Sequence, residues 1–324
     1  MMNKRNVTLV LVLIASMMAG LMFGGASLTI EEVIGGLLKT AAEKYVVIMW
    51  NVRLPRVFAA LVAGMGLAMS GLLLQSVTDN PMASPNIIGV NSGAGLMTLI
   101  VLSFFPKETY LLPFASFFGA FGATLFIVHL SKRLGSSKTT IILSGLALTT
   151  ILNACISFIS LLNPDVVSIY NYFSIGGLSG VSIEELVLPA VLILISFGVT
   201  WVLSQKISIL CLGDAMASSL GVRVKHLRRI VLICASFLAA SVVCFAGLLG
   251  FVGLIVPQFA RKIAPETMKQ TMISTALCGS ILVVIADLAG RSLFAPSEIP
   301  VGIMMALIGA PFFLMLLIRR KEYD

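Results

Sequence analysis

Ser179 stands in the run Gly177-Leu178-Ser179-Gly180, a glycine-flanked serine of the kind that serves as a nucleophile. Acyl transfer by such a serine needs a base within hydrogen-bond reach. The chain has two histidines, His129 and His226, and both fall toward the other end of the apolar segments from Ser179. The stretch Arg133-Leu134-Gly135-Ser136-Ser137-Lys138-Thr139 is similar to the tail of a phosphate loop. It lacks the glycine before its lysine and the glycine five residues earlier, so the chain carries no ATPase site of its own. Cys155, Cys211, Cys234, Cys244 and Cys278 lie in or beside apolar stretches without metal or redox spacing and read as packing residues. What remains is charge: Arg53 and Arg56 three apart, and Asp287 and Arg291 four apart.

The setting of these charges is lipid. Of 324 residues 58% are hydrophobic and 11% charged, and the mean hydropathy is +1.05. A soluble domain carries about 25% charged residues, so there is too little polar surface here for a water-soluble globule. The net charge of +8 comes from small clusters between apolar runs, without the aromatic interleaving of a nucleic-acid groove.

Apolar runs mark ten candidate spans at 7–26, 56–77, 87–105, 113–131, 139–161, 185–204, 229–248, 251–263, 271–290 and 300–318. With the N-terminus inside, sixteen of the 22 basic residues fall on inward segments, which places both termini in the cytoplasm. Lys4 and Arg5 ahead of an apolar run that ends in Gly24, Gly25 and Ala26 also fit a signal peptide. The run Val7–Phe23 exceeds the usual apolar core of 7–15 residues, which favours a retained first helix. Thr29 and Glu32 have capping-box spacing before an amphipathic stretch, and Trp50 suits an interface. Small residues recur, as at Gly64 and Ala68, Gly66 and Ser70, Gly89 and Gly93, and Gly247, Gly250 and Gly253; close helix packing is their plainest reading.

Three stretches carry function. Arg53-Leu54-Pro55-Arg56 opens the second span at the outer side, where the arginines either anchor to headgroups or meet an acidic partner. Asp287 and Arg291 can pair along one helix, as a structural ion pair or as part of a functional site, and pairing would aim Arg291 outward. The segment 210–223 is too polar to span and too apolar for a free loop. Short helices broken at Gly213 and Gly221 would present Met216, Ala217 and Leu220 to another protein, unless the segment only packs locally.

Taken together, RLPR at 53–56, SGLLLQ at 70–75, NPMASPNIIGVNSGAG at 80–95, LGDAMASSLGV at 212–222, GLLGFVGLIVPQFAR at 247–261, ADLAGR at 286–291 and EIPVGIMMALIGAPFF at 298–313 resemble the FecCD-type permease family. These are membrane subunits of ABC importers for ferric siderophores, haem and vitamin B12. The resemblance spans nearly the whole chain. It implies a single permease domain, 1–324, all-α and polytopic, of the type II ABC importer kind, in a bacterial cell membrane. Its implied partners are a second permease subunit (identical or paralogous), two ATPase subunits inside, and a substrate-binding protein outside. The permease binds no cofactor; ATP and Mg belong to the ATPase.

By the same resemblance Arg53, Arg56 and Arg291 match the arginines that dock the binding protein. Leu212, Gly213, Asp214, Met216, Ala217, Leu220 and Gly221 match the coupling helices between spans six and seven. Asn80, Met82, Thr139 and Thr140 match inner constrictions of the pathway, where the family more often has Leu at the Met82 position. The end of span five and the short helix near Tyr170 to Gly180 match the outer gate. Gln258 departs from the family's usual histidine, and Glu266 to Lys269 from its usual turn. The implied cargo is a ferric siderophore ahead of haem or cobalamin. The competing class is an ion-gradient carrier, which needs membrane carboxylates for coupling; Asp287 is the clear candidate.

Overall fold

The computed structural model describes residues 4–25, 27–133, 137–264 and 267–321, without the side chains of 316, 317 and 319–321. Ala26, the run 134–136 of the loop-like stretch and Glu266 of the departing turn lie outside the described residues. Among those described the chain is helical, without strands. The helices are α1 (Lys4–Met22), α2 (Ile30–Leu37), α3 (Glu43–Ile48), α4 (Leu54–Thr78), α5 (Val90–Phe104), α6 (Leu112–Arg133), α7 (Lys138–Leu162), α8 (Val167–Ile175), α9 (Ile183–Val202), α10 (Ser204–Leu210), α11 (Asp214–Ser219), α12 (Val224–Ala246), α13 (Val252–Ile263), α14 (Met268–Ser292) and α15 (Val301–Lys321).

Each of the ten expected spans falls on one of these helices. Among the described residues, seven helical stretches are long and apolar enough to cross a membrane, and α5 and the apolar part of α15 are shorter. The segment 251–263 is the shortest of the ten. Its helix α13 has 12 residues, which at the α-helical rise reach about 18 Å, well short of a hydrocarbon core of about 30 Å.

The core is built on α4, which packs against α14, α12 and α13. Its small residues allow this. A Cβ on Gly64 would overlap the backbone of Gly279 on α14, and one on Gly71 the backbone of Gly253 on α13. Close backbone approach is how helices associate where lipid removes the hydrophobic incentive. Pro55 sits in the first turn, where a missing N–H costs nothing, and Asp79 in the left-handed region (φ 50°) stops the helix.

Around this centre, α5 and α6 pair, α7 leans on α5, α9 lies against α12, and α1 lies against α14. Ser274 donates to Asn6 Oδ1 (3.0 Å) and Arg5 to the Ile263 carbonyl (2.7 Å), which ties α1 to α14 and to the end of α13. The capping box forms as the spacing requires: Thr29 N–H donates to Glu32 Oε2 (2.8 Å) and Glu32 N–H to Thr29 Oγ1 (3.3 Å). A hydrogen bond from Tyr45, then the Thr29 amide, holds the Glu32 carboxyl below its usual range. Trp50 lies under the Lys39 ammonium at 5.0 Å.

Candidate functional site

At one end of the bundle, a π-helical turn (Met49–Arg53) leads into α4 and places Arg53 beside α1. The last carbonyls of a helix lack intrahelical partners and carry the negative end of its dipole. Here arginines supply the missing donors: Arg53 Nη1 donates to Leu21 O (2.6 Å), and Arg291 donates to Gly20 O (3.2 Å) and Phe23 O (3.4 Å). Asp287, 2% exposed, accepts from Arg56 Nε (3.0 Å) and is ion-paired with Arg291 Nε at 3.0 Å. Arg56 also donates to Glu298 Oε2 at 2.6 Å.

The i,i+4 pair of Asp287 and Arg291 therefore forms, and Arg291 reaches the last carbonyls of α1. Arg53, Arg56 and Arg291 are 4%, 5% and 4% exposed, turned into the chain rather than presented on a rim. Glu298 escaped the sequence reading as a partner. Its signal was its isolation, since no other acidic residue stands between Asp287 and Glu322. A carboxylate alone among apolar residues needs a cation.

At the opposite end of α4, the loop 79–89 meets the start of α7. Lys138 pairs with Asp79 at 3.1 Å, and Ser137 caps α7 by accepting from Thr140 N–H at 3.0 Å. Asn80 Oδ1 accepts from Met82 N–H (2.9 Å), which tightens the turn. Asn80 and Met82 are half-buried, Thr139 is exposed, and Thr140 is half-buried beside Ser137. Gln258, the residue that departs from the family's histidine, donates to the Pro81 carbonyl at 2.9 Å. The glutamine thus aims a side-chain N–H at this loop.

The segment 210–223 lies nearby, with the Cys211 thiol against the Ser76 carbonyl (4.0 Å); burial pushes that thiol up. Gly213 (φ 102°) and Gly221 (φ 80°) bracket α11 in backbone conformations that a side chain disfavours, so the breaks stand where the sequence put them. Asp214 opens α11 and pairs with buried Arg228 at 2.7 Å. Leu212, Met216 and Leu220 are exposed at 66%, 53% and 57%. Ala217 corrects the expected presentation: it is fully buried and forms the inner side of the turn.

The segment after α8 is stitched into the bundle. Gly177 N–H donates to Ala246 O (2.9 Å), and Gly302 N–H to Gly176 O (3.1 Å). These bonds also settle Ser179. Ala246 and His226 stand 20 residues apart on α12, about 30 Å along the axis. Ser179 shares a small cleft with Leu112, and His129 lies 17 residues further along α6, about 25 Å away. Neither histidine reaches the serine.

Comparison with known proteins agrees with this arrangement. The chain is 38% identical over 271 residues to the Fe(3+)-citrate import system permease protein YfmE of Bacillus subtilis (strain 168), covering 83% of this chain and 81% of that one. It is 35% identical over 318 residues to the achromobactin transport system permease protein CbrC of Dickeya dadantii (strain 3937), covering 96% and 90%. Among solved structures, an inward-facing conformation of a metal-chelate type ABC transporter superposes with a TM-score of 0.85 at 29% identity, over 97% of this chain and 98% of that one. The model of the FecCD transport family matches residues 11–319, and the chain belongs to that family.

Proposed function

We propose that this chain is the membrane-spanning permease subunit of an ATP-driven importer and forms the pathway for a ferric siderophore. The observation that carries this reading is α11: a short helix held by Asp214 and Arg228 between two glycine breaks, with Leu212, Met216 and Leu220 exposed. Apolar side chains on a segment this polar call for a protein partner. A separate ATPase subunit, one for each of two permease subunits, seats there and hydrolyses ATP with Mg. Both termini and α11 then lie in the cytoplasm of a bacterial cell, and the ten helical segments make one permease unit whose short members, α5 and α13, cross jointly with their neighbours.

The arginine end faces outward and receives the binding protein. Arg53, Arg56 and Arg291 against Asp287 and Glu298 leave one surplus positive charge there. The arginines act by that field and by holding the end of α1 and the loop before α15 in shape. Asn80, Met82, Thr139 and Thr140 form the inner constriction, and the end of α7 with α8 the outer one. ATP on one side and loaded binding protein on the other bias two states of this pathway.

The ion-gradient carrier is disfavoured by Asp287 itself, which is buried between two arginines and so poorly placed to exchange a proton or sodium ion. The siderophore reading is supported by the relatives, which are named for Fe(3+)-citrate and achromobactin. Radio-iron citrate, a ferric hydroxamate, haem and cobalamin offered in turn to proteoliposomes of the whole transporter test the cargo. Uptake of an iron chelate is expected, and uptake of cobalamin alone contradicts the iron reading.

A further inference from the structure

Beside the base of α11, a cleft of ≈ 620 Å³ opens between the end of α9, α10 and the start of α12. Its lining combines apolar Leu203, Ile209 and Ile230 with basic Lys206, Arg223 and His226. No carboxylate is found among its described lining residues, and none of those three basic side chains has an ion pair among the described residues. Arg56, Arg228 and Arg291, which are buried, each have an acidic partner.

The depth of the cleft is marked by its neighbours. Trp201, next to the end of α9, lies under the Lys269 ammonium at 5.5 Å, the position of an interfacial aromatic. Val202, immediately before Leu203, is 81% exposed, and Leu194, Ile195 and Val199 continue the same apolar exposure back along α9. An apolar runway into the membrane thus ends in a basic pocket at its edge.

We infer that this cleft binds an anionic phospholipid, with its phosphodiester among Lys206, Arg223 and His226 and its acyl chains along α9. The mixed lining selects this ligand: a free phosphate leaves the apolar side chains unused, and a neutral lipid leaves the cations without an anion. Because the cleft shares Leu220 and Arg223 with the turn after α11, bound lipid also props the α11 segment from its membrane side.

The test is lipid retention by the whole transporter, ATPase subunits included, measured by native mass spectrometry with phosphatidylglycerol, phosphatidylcholine and inorganic phosphate as probes. The wild type is expected to hold phosphatidylglycerol about tenfold better than phosphatidylcholine, with the preference lost in the triple variant Lys206→Gln, Arg223→Gln, His226→Gln. All three side chains are exposed, so the variant should fold. A photoactivatable phosphatidylglycerol should label peptides from the end of α9 and the start of α12. Equal retention of both lipids, an undiminished preference in the variant, or labelling elsewhere overturns the proposal. So does full displacement by inorganic phosphate, which assigns the cleft to a free anion, or lipid binding only after the ATPase is stripped away, which assigns it to that subunit.

Discussion

Asp214 on α11 and Arg228 on α12 stand 2.7 Å apart, the acid half-exposed and the guanidinium 3% exposed. One helix turn is thereby fixed to the next span, so force applied to α11 is delivered to α12, which packs on α4.

Replacing Asp214 by Asn should therefore weaken coupling more than folding. Its carboxylate is half-exposed and the loss in stability is expected to be about 1 kcal/mol. Transported cargo per ATP hydrolysed should fall several-fold in reconstituted transporter. The exchange Asp214→Arg with Arg228→Asp should restore part of it.

Asp287 stands at the other extreme. Asp287→Ala leaves two buried guanidinium groups short of their shared carboxylate, a loss of about 3–5 kcal/mol for a buried pair. Glu298→Gln should cost under about 1 kcal/mol, because that carboxylate is 41% exposed. Denaturant titration in detergent distinguishes the two; equal effects would mean that the network is not centred on Asp287.

Gly64→Val should abolish the folded bundle, since the added atoms meet the Gly279 backbone, which cannot yield. Gly122→Ala, with nothing near its Cβ position, should leave the elution profile of the purified protein unchanged.

Gln258→His should preserve gating, because histidine also offers an N–H to the Pro81 carbonyl. Gln258→Leu removes the donor and should raise substrate leak without ATP, at a cost of about 1 kcal/mol. Leak of a fluorescent chelate from loaded liposomes reads this directly.

Cys155 is exposed on α7, while Cys234 and Cys278 are buried. If the free face of α7 lines the pathway, a water-soluble maleimide labels Cys155 and bound cargo blocks the labelling. No labelling in either the loaded or the empty transporter would place that face in lipid.

The helices were legible in the sequence because length and apolarity suffice to mark a segment that lipid surrounds. The α2 capping box and the breaks at Gly213 and Gly221 were legible because they depend on neighbours a few residues apart. Which face of a helix is buried was not. The stretch containing α4 and the helix α7 each hold an apolar window of 18 residues, yet 83% of the first window and 17% of the second is buried within the chain. In lipid an apolar residue is equally at home inside or outside, so periodicity loses its meaning. The arginines show the same limit. Arg56 meets Asp287 and Glu298 across 231 and 242 residues, and no local spacing announces such partners.

Proteoliposomes holding the permease, its ATPase and its binding protein give the most direct test of the central claim, that ATP acting through α11 drives uptake. Iron-chelate uptake that requires internal ATP, ignores imposed proton and sodium gradients, and is lost in Met216→Glu, Leu220→Glu with folding intact is the predicted result. Uptake driven by either gradient in the absence of the ATPase would contradict it.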